Sequence, residues 1–493
     1  MTRALVFALF LSLPTAAATV DVSISPIERG PTSTITVTIV NNSDADLPNA
    51  QLAIGMSERR AVQTLTPSSS NAWPCAGGRC GANVAPFLTV LHAHETVTLA
   101  FTIAPADEGR FSVQAFAVWG RGNETRASDP VRTSALFYRT IHVTNSDDDG
   151  PGSLRQAFVA ANDCTRDEVP CRVEFEALDT PIRLSSALPV LTLGELIMDA
   201  TPNTIEIDGS AAEERGIEIH GAGAAIVRGL ALRNFPGNAI DVSFNAFRGG
   251  AVENNIITGS QLRAIEFHAP SVSFKVAHNV LSGNGRSGVF MMGGDRTFVT
   301  EIEVSDNAIE NNGASGIFVG PNAERNRILR NRIANNGDFG LAVSREVQWI
   351  DVEENTIAGN RILGIDVGLD GFSGFKYDDY DLVHAYIPPP TLESATYDVV
   401  TNTTTISGHH VVPSYGSSTV FVYANDEFVA KTKVADDGTF ALGIDGDLRG
   451  KPLTAYALRY LNLGFSGDYQ WTSEFTPVAL RVANTEQRLD RAP

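Results

Sequence analysis

One stretch of this chain can be aligned with itself, and that constrains the fold more than anything else in it. Asn279-Val280-Leu281, Asn307-Ala308-Ile309, Asn331-Arg332-Ile333 and Asn355-Thr356-Ile357 recur at intervals of 28, 24 and 24 residues. Gly288-Val289, Gly316-Ile317, Gly340-Leu341 and Gly364-Ile365 keep the same intervals. Weaker copies precede them, with Asn234 and Asn255 followed by Ala239-Ile240 and Ala264-Ile265. A fixed period of this size means a solenoid or an array. Each repeat holds three apolar bursts of three to five residues, each ended by Asn, Gly or Asp, and shows no helical period. Such bursts are short strands, and three per coil, stacked coil on coil, make a parallel β-helix. The Asn suits the bend between second and third strands, since it tolerates the left-handed conformation. Stacking then places Asn279, Asn307, Asn331 and Asn355 above one another as an amide ladder.

At 493 residues the chain exceeds one domain. Its first 18 residues pair Arg3 with an apolar run at 4–13, a break at Pro14 and Ala16-Ala17-Ala18, which has the form of an export signal cleaved after Ala18. No cysteine follows that run to take a lipid, so a free, exported protein is expected, secreted or held at the cell surface. The net charge of −20 repels phosphate backbones and anionic lipid, which argues against nucleic acid as a partner. The four cysteines fall into two local pairs, Cys75 with Cys80 and Cys164 with Cys171. Four cysteines allow three connectivities. Local pairing closes the shortest loops, and two disulfides are expected in an exported chain. A zinc site would need C-x2-C spacing and would have to bridge two domains.

Residues 19–138 alternate apolar and polar over short runs such as Thr34-Ile35-Thr36-Val37-Thr38-Ile39, with Asn41-Asn42-Ser43 supplying a turn, and read as an all-β sandwich. Next, Ser153 and Gln156 fit a capping box, while Leu154, Ala157, Phe158 and Ala161 share one helical face. A short amphipathic helix is what the open end of a solenoid needs, because its first coil exposes strand edges and core. Asp147-Asp148-Asp149 ahead of it reads as a solvated linker rather than a calcium loop. The β-helix is expected over 139–387, in eight or nine coils, ending at Pro388-Pro389-Pro390, which has no N–H to offer a ladder. Residues 388–482 return to alternation as a second sandwich, and 483–493 form a polar tail. The fold class expected is therefore all-β, a right-handed parallel β-helix flanked by two β-sandwiches.

Three features carry a resemblance. Residues 34–52 and the loop from Cys75 to Cys80 resemble bacterial immunoglobulin-like modules of cell-surface proteins, which mostly act as spacers. Gly152-Ser153-Leu154-Arg155-Gln156-Ala157 resembles the "D-G-x-G-S-L-R-x-A" opening of a family of secreted right-handed parallel β-helix proteins. Thr472-Ser473-Glu474-Phe475 resembles the strand that ends the sandwich following the helix in that family. The resemblance implies export and a glycan-related surface role, with no uniform activity. Many parallel β-helix proteins are polysaccharide lyases or hydrolases, but the carboxylate, G-H-G and R-I-K set of the pectin hydrolases is not assembled here. His220-Gly221 lacks its partners, and Arg332-Ile333-Ala334 lacks the lysine. No G-x-S-x-G elbow occurs, and His409-His410 reads as a surface turn.

Two strand-face columns alternate in charge from coil to coil: Ala251, Lys275, Glu303, Arg327, Asp351, and Asn254, His278, Asp306, Arg330, Glu354. They flank the inward Val252, Val276, Val304, Ile328 and Val352 and serve register, not catalysis. No catalytic residue is assigned. The column that points to function follows each Gly-Ile pair: Asp241, Glu266, Phe290, Phe318, Ala342, Asp366, with His268 just beyond. Aromatic faces suit sugar rings, and paired carboxylates suit sugar hydroxyls or a bridging Ca²⁺; no other cofactor is expected. Alternatively, residues 292–300 fold back over both rings. The expected function is non-catalytic adhesion or glycan binding through this face, against a carbohydrate-active enzyme with an unfamiliar site or a passive spacer.

Overall fold

The computed structural model describes residues 20–27, 33–56, 62–67, 90–105, 109–121, 124–167, 169–193, 195–221, 224–244, 249–295, 297–344, 346–347, 349–368, 388–411, 416–462, 468–473, 475 and 480–484. The export segment, Cys75 and Cys80, and Glu474 lie outside them. The fold is all-β, with a parallel solenoid of about 7 turns and antiparallel sheets elsewhere. Among the described residues no helix is long and apolar enough to cross a membrane.

The solenoid has three parallel sheets of eight, ten and eight strands. Counting each coil from the Gly-Ile strand, one turn consists of Ile265–His268, Ser271–Ala277 and Val280–Ser282, and the next of Val289–Met292, Val299–Ser305 and Ala308–Glu310. Inward apolar residues of the strands fill the interior: Val252, Val276, Val304, Ile328 and Val352 are fully buried, as are Val242, Phe267, Met291 and Val319.

The bend between second and third strands differs from expectation in one respect. The left-handed residue is the one before each ladder Asn: Asn254, His278, Asp306, Arg330 and Glu354 have φ of 56°, 56°, 59°, 52° and 55°. The asparagines themselves turn inward and bond along the axis. Asn279 Nδ2 donates to Asn307 Oδ1 at 3.0 Å, Asn307 to Asn331 at 2.9 Å and Asn331 to Asn355 at 2.9 Å. Asn255 extends the ladder by one rung at 3.1 Å. Each acceptor oxygen also takes the backbone N–H of the Asn on the coil before it, and each Nδ2 also reaches a strand carbonyl. A buried amide must find such partners or cost stability. A second ladder, Asn284 to Asn312 to Asn336 to Asn360, runs through the bend between third and first strands at 2.9, 3.0 and 2.9 Å. Here the glycine after each of the first three Asn is required by a close approach: a Cβ on Gly285, Gly313 or Gly337 would sit 2.1, 2.3 or 2.2 Å from a carbonyl oxygen of the preceding coil.

The charged columns pair as expected. Glu303 lies between Lys275 at 3.8 Å and Arg327 at 2.9 Å, Arg327 reaches Asp351 at 3.5 Å, and Arg330 bonds Asp306 at 2.8 Å. Such half-exposed pairs each contribute about 0.5 kcal/mol and serve register. Asp351 stands apart, because burial and then Glu353 push its carboxyl up to about 6.

The helix Leu154–Asp167 begins with the hydroxyl half of the capping box, Ser153 Oγ accepting the Gln156 N–H at 3.2 Å. Leu154, Ala157, Phe158 and Ala161 are buried. Arg155 fastens the helix by donating to Asp148 Oδ1 at 2.8 Å and to the carbonyls of Ser186 and Ala187 at 3.1 and 2.5 Å. Asp148 is thus no solvated linker. Burial opposes its charge, but Ser185 and Arg155 hold its carboxyl below the usual range.

The Cα atoms of Cys164 and Cys171 are 6.1 Å apart, with their sulfurs adjoining. Mass mapping without reduction is expected to link Cys164 to Cys171 and Cys75 to Cys80. A peptide joining Cys75 to either later cysteine would overturn local pairing.

Residues 391–484 form antiparallel sheets of four and five strands, except for one short parallel pairing at Thr396–Tyr397 with Ala483–Asn484. They belong with the solenoid to one compact unit. Tyr456 Oη donates to the Val352 carbonyl at 2.8 Å, and Lys431 reaches Glu353 and Glu354 at 2.7 and 2.9 Å. Phe475 of the Thr472-Ser473-Glu474-Phe475 run packs edge-on to Tyr423 and Tyr456. These sheets therefore cover the last coil's core. His410 departs from the expected surface turn: it is buried, beyond the end of the strand Thr403–His409. The N-terminal unit carries two four-stranded antiparallel sheets around Ile35, Val37, Leu52, Phe101 and Val113, and a short antiparallel pairing of Leu47–Pro48 with Val90–Leu91.

Candidate functional site

The column after each Gly-Ile pair is in register through the whole first-strand sheet: Asp241 opposes Glu266, then Phe290, Phe318, Ala342 and Asp366. Strand alternation faces these outward because their neighbours fill the core. Phe290 and Phe318 stack with centroids 4.7 Å apart and planes inclined by 6°. The Arg263 guanidinium lies 3.9 Å from the Phe290 ring centre. Both rings are half-buried and border a groove of about 300 Å³ with Arg263, Arg286, Phe339 and Asp338. Among the described residues, none of 292–300 lines it, and Met292 and Phe298 are exposed.

The acids of the same column point outward yet are buried, Asp241 at 1% and Glu266 at 6% exposure. What covers them comes from the turns. Asn238 Nδ2 donates to Asp241 Oδ1 at 2.9 Å and to Glu266 Oε2 at 2.5 Å. Arg263 Nη1 donates to Glu266 Oε2 at 2.7 Å, and Arg215 Nε lies 3.4 Å from Asp241 Oδ2. His268 Nε2 is 3.1 Å from Asp241 Oδ1 and 3.7 Å from Glu266 Oε1. The hydrogen bond to Asp241 raises the His268 pKa, and burial works against it. The five residues expected here, Asp241, Glu266, His268, Phe290 and Phe318, thus occupy one face as two adjoining clusters.

Sequence reading missed Asn238, Arg215, Arg263, Arg286, Asp338 and Phe339. A signal was present for most of them. Asn238, Arg263, Ser287, Ser315 and Phe339 stand three residues before successive column members, and Arg286, Ala314 and Asp338 stand four before. All of these but Asn238 line the groove beside the rings. Arg286 is exposed and has no ion-pair partner among the described residues.

Residues 215–376 match the family model described as "Right handed beta helix region". No curated protein matches the chain. Among solved structures, the chain is similar to the A-module of mannuronan C-5 epimerase AlgE6 from Azotobacter vinelandii, at 16% identity over 44% of this chain and 74% of that one, with a TM-score of 0.30. It is also similar to the catalytic unit of a thermostable GH87 alpha-1,3-glucanase from Streptomyces thermodiastaticus strain HF3-3, at 12% identity over 72% and 79%, with a TM-score of 0.31. At these TM-scores neither bears on function.

Proposed function

We propose that this is an exported surface or extracellular protein that binds a glycan, without catalysis, along the first-strand face of its β-helix. The N-terminal sheets serve as an immunoglobulin-like spacer. The observation that carries the reading is the stacked Phe290–Phe318 pair bordering a groove beside the exposed cation of Arg286. Stacked face to face, with Arg263 over Phe290, the two rings turn a strip of apolar ring edge to the groove, against which the C–H groups of a sugar can pack. Partly exposed phenylalanines cost solubility unless something uses them. Arg286 adds a donor fork for a sugar hydroxyl or carboxylate.

The double variant Phe290→Ala with Phe318→Ala is expected to weaken binding to a glycan array or cell surface at least tenfold, about 1.4 kcal/mol, with an unchanged circular-dichroism spectrum. Binding equal to that of the parent for every ligand would remove this face from consideration.

The buried acids beside His268 favour a second reading, a carbohydrate-active enzyme of lyase or hydrolase type. A screen of acidic polysaccharides, with and without calcium, separates the two: new unsaturated ends or reducing sugar establish the enzyme, and retention without turnover establishes the binder.

A further inference from the structure

We propose that Asp241, Glu266 and His268 form a binding site for a divalent transition-metal ion, with zinc the best match, whether or not the groove takes a glycan. One ligand atom from each residue lies within 4.8 Å of the others. The spacings of His268 Nε2 to Asp241 Oδ1, 3.1 Å, and to Glu266 Oε1, 3.7 Å, bracket what a metal requires. Zinc holds nitrogen and carboxylate ligands at about 2.0–2.2 Å, and ligands at that radius on a tetrahedron stand roughly 3.4 Å apart. The three residues are fixed by the sheet: Glu266 is the direct cross-strand neighbour of Asp241, and His268 lies two residues along the same strand and face.

A second observation comes from the buried carboxylate itself. Asp241 is 1% exposed, and its Oδ2 has no hydrogen-bond partner; Arg215 Nε approaches it only to 3.4 Å. The Arg215 cation offsets the charge of that oxygen without a hydrogen bond, which is costly for a buried carboxylate, and a metal held by both oxygens of Asp241 would satisfy it. The surrounding donors are placed as an outer shell. Asn238 bridges Asp241 Oδ1 and Glu266 Oε2, and Arg263 takes the same Oε2, which leaves Oε1 facing His268. Outer groups of this kind orient ligands and raise affinity.

The imidazole decides the class of ion. Calcium and magnesium take oxygen ligands in shells of six or more, whereas imidazole with carboxylate suits zinc and its first-row neighbours. Three protein ligands leave at least one coordination position, and the half-exposed His268 side chain puts it within reach of solvent.

Isothermal titration of the full chain, stripped with a chelator and titrated with zinc chloride, tests the site. One saturable Zn²⁺ per chain is expected, with calcium at least a hundredfold weaker. His268→Gln, at a half-exposed position that retains both acids, is expected to weaken zinc about 10–100-fold. No saturable zinc binding by the parent, or a His268→Gln variant that binds as tightly as the parent, overturns the proposal. Should that variant not fold, X-ray absorption of the zinc-loaded parent decides: one imidazole with oxygen ligands supports the site, and several imidazoles or oxygen alone overturn it.

Discussion

Replacing Asn331 by Leu is expected to lower the unfolding free energy by about 3–5 kcal/mol. Asn331 is 1% exposed, and its amide occupies the middle of a ladder. Removing its Oδ1 leaves the backbone N–H of Asn307 without its acceptor and takes one of three acceptors from the Asn307 Nδ2, which keeps the Val276 and Ser305 carbonyls. Removing its Nδ2 takes a donor from the Val304 carbonyl and from Asn355 Oδ1, although that oxygen keeps the backbone N–H of residue 331. The unpaired N–H costs about 1–3 kcal/mol and each of the other lost bonds about 0.5–1.5 kcal/mol, and partial relaxation keeps the sum below the simple total. The backbone at this bend adds nothing to the loss, since the left-handed residue is Arg330. Urea denaturation measures the effect. A midpoint unchanged within error would mean that the stacked amides contribute nothing.

Acidification is expected to weaken the chain through one histidine. His410 is 2% exposed, and neither ring nitrogen has a hydrogen-bond partner. Burial first, then the positive charge of Arg459 and His409, pushes its pKa down to about 4. Unfolded, the same ring titrates near about 6.5. Above that pH both states hold it neutral, and it contributes no pH dependence. Below it the unfolded chain binds a proton that the folded chain refuses, so stability falls as pH drops from 6.5 toward 4 and then levels. The loss reaches about 3 kcal/mol by pH 4, at 1.36 kcal/mol for each pH step. His410→Leu should flatten this window while other titrating groups still contribute. An equally steep decline in parent and variant between pH 6.5 and 4 would show that His410 is not the group responsible.

What the sequence disclosed divides by how far each feature lies from its cause. The first ladder, the inward valines and the Phe290–Phe318 column were legible, because each repeats at the interval of the coil and needs only strand alternation. The second ladder is equally periodic, but an Asn-Gly pair is a common turn signal and its burial has no local mark. Placing the ladder Asn in the left-handed position was an error of one residue. That conformation falls to Asn254, His278, Asp306, Arg330 and Glu354, five different polar side chains, beside an inward amide that fixes the bend. The burial of Asp241 and Glu266 depends on Arg215, Asn238 and Arg263 converging from different coils. His410 is buried by neighbours far away in sequence. Neither leaves a trace in any short window.

The two ladders also act as a ruler. Five residues separate second-strand from third-strand core positions in every coil from Val227 and Leu232 to Val352 and Ile357. Ten separate third-strand from first-strand positions just as constantly, from Leu232 and Val242 to Ile357 and Val367. Only the connection from first to second strand varies: nine residues from Phe267 to Val276 and from Val319 to Ile328, ten from Val242 to Val252, and thirteen from Met291 to Val304. The whole difference between the 24- and 28-residue repeats is spent there. A chain that fixes two of its three corners by stacked amides can grow only at the third, so grafted segments belong between Met292 and Val299, where added length shifts no rung of either ladder.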